Sequence, residues 1–176
     1  MQFIRTCLYL FVFSAAMFAQ KADEMTIKVF FNNVADDPNI ENCQGVKPVT
    51  RTIPKTKAVA RAALEELFKG VSTDEEGKGF VSFTAESTRG ILKNINIKNG
   101  SAYVNFDERV YQQLGNATTS CGGASFFSSV EKTLQQFPTI KRVFYAIEGN
   151  TDDFYEWAQV GECPHGKKHC DSKNFE

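Results

Sequence analysis

The sequence is poor in the residues that most enzymes use. It has two histidines, His165 and His169, both near its end. No G-x-S-x-G is present, so a serine hydrolase would have to bring a distant nucleophile to one of those two rings. Neither G-x-x-x-x-G-K-[ST] nor G-x-G-x-x-G occurs, which removes the usual phosphate and dinucleotide cradles. There is no C-x-x-C to open a redox helix. Twenty basic and 21 acidic side chains leave a net charge of −1, so no broad cationic field marks nucleic acid as the partner. No repeat and no low-complexity segment interrupts a composition typical of one globular domain.

What is present begins with a targeting pattern. Arg5, the apolar run Leu8–Phe18 and the small residues that follow read as a signal peptide over residues 1–19, with cleavage after Ala16 or Ala22 as alternatives. That run is short for a bilayer span, and Cys7 lies inside it, so no stable membrane anchor is expected after cleavage. The expected location is therefore secreted or extracytoplasmic, in the periplasm or cell envelope. Export changes the meaning of the four remaining cysteines. Cys43, Cys121, Cys163 and Cys170 read as a disulfide framework, and Cys163–Cys170 with Cys43–Cys121 is the economical pairing.

Between these landmarks, Thr26–Phe31 reads as a strand and "TKAVARAALEELFKG" as a helix capped by Thr56 and stopped at Gly70. The stretch between Asn32 and Thr56, with prolines at 48 and 54, reads as a long loop and a candidate binding loop. Asn99-Gly100 predicts a two-residue hairpin pairing Ile97 with Ala102 and Ile95 with Val104. Asn94, Asn96, Tyr103 and Asn105 then face the other way. "ASFFSSVEKTLQQFP" predicts a second helix and "IKRVFYAIEG" a last strand. The order β-α-β-β-α-β predicts an α+β two-layer sandwich, a mixed sheet of about four strands with two helices on one face. Residues 150–176 read as an irregular, cysteine-containing tail held by the aromatics Phe154, Tyr155 and Trp157.

The combination of "DPNIENC", "VKPVTRTIPKTKAVARAALEELFKG", "EEGKGF", "INIKNGSAYVNF" and "SC" before "VEKTLQQFPTIKRV" resembles the GerMN domain family of sporulation and spore germination, over residues 26–149. The resemblance implies an exported bacterial domain of the cell envelope, a pairing of Cys43 with Cys121, and no catalytic residues. It does not extend to the tail.

"CPHGKKHC" is the sharpest chemical motif. Cys163, His165, His169 and Cys170 are residue types that zinc favours, but His169 and Cys170 are adjacent and an exported thiol pair tends to oxidise. A stapled loop is the preferred reading, with no metal and no cofactor. Asp37, Asn39 and Glu41 alternate as calcium ligands do, without the glycine of an EF-hand. Asp36, Asp37, Glu41, Asp107, Glu108, Asp152 and Asp153 would make a glycan hydrolase only if the fold gathered them. Tandem Phe30-Phe31 and Phe126-Phe127 are candidates for a partner surface. The expectation is a non-enzymatic exported module that binds a protein partner or an envelope polymer. The alternatives are a metal-dependent or carboxylate cell-wall hydrolase and a self-assembling subunit.

Overall fold

A computed structural model describes residues 23–83, 88–164, 166 and 168–176; the expected signal segment and His165 lie outside them. The strands are β1 (Glu24–Asn33), β2 (Lys47–Pro54), β3 (Phe80–Val81), β4 (Leu92–Lys98), β5 (Ser101–Phe106) and β6 (Arg142–Ile147). The helices are α1 (Val59–Leu67), α2 (Thr73–Glu76), α3 (Val110–Gln113), α4 (Ser120–Gln135) and α5 (Thr151–Trp157).

The class is α+β, and the predicted order survives as β1-α1-β4-β5-α4-β6. The strands form two sheets of three, β2-β1-β3 and β4-β5-β6, where a single sheet of about four was expected. The reason lies at the edge of β1. Gln136 of α4 accepts from the Lys28 N–H at 2.9 Å and donates to the Lys28 carbonyl at 2.7 Å. Thr133 accepts from the Phe30 N–H at 3.2 Å. Helix side chains thus occupy the positions where a neighbouring strand would bond.

β2 corrects the expected loop between Asn32 and Thr56, since it pairs antiparallel with β1 from Glu24↔Pro54 to Phe31↔Lys47. Its prolines argue against a central strand, but β2 is an edge strand, where a missing N–H is tolerated. The β4–β5 hairpin has the predicted register, with Asn99 and Gly100 both at positive φ as a two-residue turn demands. β5 and β6 then pair in parallel.

α1 begins at Val59, after Thr56 has accepted from the Ala58 N–H, and buries Ala60, Ala63, Leu64 and Leu67. α4 starts earlier than predicted, capped by Thr119. Its first turn lies so close to the 3₁₀ turn Gly115–Thr118 that a Cβ on Gly122 would come within 1.9 Å of the Asn116 carbonyl. α5 arises within the tail expected to be irregular. Asn150 accepts from the N–H groups of Asp152 and Asp153, which also place negative charge on the helix start. The helices and both sheets meet in one core, where Phe106, Phe126, Tyr145 and Phe154 pack ring against ring.

Candidate functional site

The cysteines are placed first, because they decide which chemistry is open. Cys43 is joined to Cys121, fastening the 34–46 loop to the first turn of α4. Cys163 is joined to Cys170. Sulfurs bonded to each other are not thiolate ligands, so the zinc set proposed for the tail lacks both of its sulfurs. The acidic loop is also committed. The two oxygens of Asp37 accept from the N–H groups of Glu41 and Asn42, closing a turn where calcium was considered. Asp107 pairs with Arg109 two residues on, and Asp36 pairs with Lys47.

The tail does something that the sequence did not suggest. It crosses the face of β4-β5-β6 opposite the helices. There Tyr103, Phe144 and Ala146 form a second apolar cluster, closed by a fully buried Phe175. The His169 ring stacks on Phe144 at 4.5 Å, and its Nδ1 shares a 2.9 Å hydrogen bond with the Tyr103 hydroxyl. The side-chain amides of Asn94 and Asn105 donate to the Phe175 carbonyl at 2.7 and 3.2 Å, and Asn96 donates to the carbonyls of Asn174 and Glu176. His169 is therefore a packing residue of this layer.

Two glutamates are electrostatically perturbed, in opposite directions. Burial acts to raise the Glu75 carboxyl, but hydrogen bonds and charge from Arg51, with the Ser72 N–H, hold it below the ordinary value. Arg51 grips Glu75 with Nη2–Oε2 at 2.5 Å and Nε–Oε1 at 3.2 Å. It also donates to the Glu66 and Gly70 carbonyls at the end of α1, and lies over the Phe31 ring. Glu131 is raised by burial, which the charge of Lys132 only partly offsets. Burial, and after it the charge of Glu131, raises the Tyr145 hydroxyl; burial raises the Tyr155 hydroxyl too, against a weak contact with the Tyr145 backbone. Neither groove beside α5 reaches these groups. Both glutamates belong to the scaffold.

Phe31 and Phe126 are buried and Phe30 and Phe127 are half-buried, so the tandem phenylalanines are core rather than a presented surface. The exposed apolar side chains lie elsewhere, at Ile97, Tyr111 and Val160. Ile97 sits on β4, the outer strand of its sheet. In an antiparallel hairpin closed at Lys98↔Ser101, alternate residues turn their N–H and C=O away from the partner strand. On β4 these are Ile95 and Ile97; the bulge between Leu92 and Asn94 breaks the alternation beyond them. Arg61 of α1 covers the Leu92 and Lys93 carbonyls. Beyond it, no side chain among the described residues hydrogen-bonds the outward groups of Ile95 and Ile97, and the Ile97 side chain is 43% exposed. The hairpin was legible in the sequence; the openness of this edge was not, because it depends on where Arg61 stops.

Among the described residues, no helix is long and apolar enough to cross a membrane. A family model described as "Germane: Sporulation and spore germination" matches residues 28–153. Among solved structures, the tandem GerMN domains of the sporulation protein GerM from Bacillus subtilis are similar, with a TM-score of 0.53 and 22% identity over 82% of this chain. This chain spans only 45% of that tandem chain. The first GerMN domain of the same protein gives a TM-score of 0.48 at 22% identity, covering 81% of this chain and 94% of that one. A putative lipoprotein from Clostridium perfringens gives 0.42 at 14% identity, covering 71% and 75%. A search of curated proteins finds no match.

Proposed function

The chain belongs to the Germane family of sporulation and spore germination, and from that premise we propose that it is an exported, non-enzymatic module that binds a protein partner by strand addition at the β4 edge. One observation carries the reading: Ile95 and Ile97 direct backbone donors and acceptors outward beside an exposed Ile97 side chain. An extended partner segment would complete that ladder, and Ile97 would supply the apolar contact that gives it register. The edges of the other sheet are less open, since β1 is met by Gln136 and Thr133 and β2 has prolines near both ends.

Two paired disulfides support work outside the cytoplasm, in the envelope of a sporulating cell. The non-enzymatic part rests on what the candidate groups already do: the four cysteines are bonded, Asp37 closes a turn, and Asp107 holds Arg109.

Hydrogen–deuterium exchange on the mature chain, with and without solubilised envelope protein from sporulating cells, tests the proposal. The Ile95 and Ile97 amides should exchange freely alone and slow markedly with partner. Ile97→Glu should abolish that slowing while changing stability by less than about 0.5 kcal/mol. Slowing elsewhere with these two amides still open overturns the edge reading. Release of fragments from purified cell wall by the chain overturns the non-enzymatic one.

A further inference from the structure

A second surface lies where β5 and β6 end, on α3 and α5. Tyr111 is 43% exposed and sets its ring against Trp157 in an edge-to-face pair at 6.2 Å. Val160, three residues past Trp157, is 49% exposed. Tyr and Trp are side chains that often anchor protein contacts; here Trp157 is half-buried against the core and Tyr111 stands out beside it.

The surroundings decide what would cover this pair. Glu108, Asp152, Asp153, Glu156 and Glu162 are exposed, and among the described residues none of them is in an ion pair. The Arg109 guanidinium, next to Glu108 in sequence, is taken by Asp107. Glu108 lies one helical turn before Tyr111, and Asp153 and Glu156 lie on α5 one turn and one residue before Trp157; burial, followed by the charges of Asp153, Glu108 and Glu156, raises the Tyr111 hydroxyl above its ordinary value. Asp152, Glu156 and Glu162 continue the charge into a groove of about 610 Å³, whose described lining has no Lys or Arg.

We infer that the Tyr111–Trp157 pair, with Glu108, Asp153 and Glu156 around it, docks a Lys- or Arg-rich segment of a partner protein. The aromatic faces would take the cation and the aliphatic stem, and the carboxylates would supply charge that no ion pair among the described residues matches. This surface is separate from the β4 edge and does not depend on it.

Trp157 is the only tryptophan in the chain, so its emission reports on this patch directly. The mature, disulfide-bonded chain is titrated with hexa-arginine, with a neutral hexaserine peptide and with a chitin oligosaccharide. The expected result is a saturable change in Trp157 emission with hexa-arginine alone, weakening as salt is raised. Tyr111→Ala should weaken binding several-fold. The triple variant Glu108→Gln, Asp153→Asn, Glu156→Gln should weaken it by about tenfold, with the far-UV circular dichroism unchanged. Equal binding by the triple variant overturns the proposal. So does an emission change with the oligosaccharide but not the peptide, or no change with hexa-arginine at low salt.

Discussion

Replacing Arg51 by methionine keeps an unbranched apolar stem over Phe31 and removes only the guanidinium. The Glu75 carboxylate and the Glu66 and Gly70 carbonyls each lose a hydrogen bond, and the Glu66 carboxylate loses its 3.6 Å pairing with Arg51 but keeps Lys69. The Arg51 and Glu75 side chains are each 12% exposed, so Glu75 would be left nearly buried with the Ser72 N–H as its remaining anchor. Removing one partner of such a pair is worth about 3 kcal/mol, a large share of the stability of a domain this size. Urea unfolding followed by Trp157 fluorescence measures it as a lower midpoint at constant slope. Exchanging both partners, Arg51→Met with Glu75→Met, should recover about 1 kcal/mol or more, because no charge is then stranded.

The pH dependence gives the same argument a sign. The folded Glu75 carboxyl lies below its unfolded value, so its contribution is fully present above the unfolded value and is lost as pH falls through the folded one. The gap between wild type and Arg51→Met should therefore be full at neutral pH and shrink below about pH 4. A gap under about 1 kcal/mol at neutral pH would refute the reasoning. So would a gap that does not narrow in acid, or a double variant no better than the single one.

Other expectations follow from the same structure. Glu131→Gln should stabilise the chain at neutral pH and have no effect once the carboxyl is protonated in both states, because burial raises the folded value; parallel urea curves across pH show it. Cys43→Ala with Cys121→Ala opens a bridge between residues 78 apart, and the entropy returned to the unfolded chain predicts a loss of about 4.5 kcal/mol by thermal or urea unfolding. Phe175→Ala removes the ring that closes the second cluster and should lower stability by about 3 kcal/mol, while tail amides exchange faster than those of β1. Gly122→Ala, which puts a methyl group against the Asn116 carbonyl, should destabilise by about 2 kcal/mol or more in the same assay.

Helix α1, the β4–β5 register and the final strand were legible because their signals are local: a 3.6-residue apolar face, an Asn-Gly turn and a β-branched run. β2 was not, because Pro48 and Pro54 look like loop residues until the strand is known to be an edge. α5 carried readable cues in Asn150, Asp152 and Asp153, but the polar run around it outweighed them. The covered back of the second sheet was half visible. Asn94, Asn96 and Asn105 suggested a wetted face, whereas β6 reads Val143-Phe144-Tyr145-Ala146-Ile147 without a polar break. An unbroken apolar strand is buried on both sides, and here the tail supplies the second cover. The two proposed binding surfaces were the least legible part. Each depends on which groups the fold leaves uncovered, and a sequence does not record that.

The way the last residues are held has an evolutionary consequence. Asn94, Asn96 and Asn105 grip main-chain carbonyls, which every amino acid has. The Asn174 side chain also holds the Lys168 carbonyl, so substitution is tolerated best at 176, while the ring at 175 must fill the second cluster. A chain that keeps the three asparagines, Asn174 and an aromatic at 175 keeps this segment's grip on the sheet.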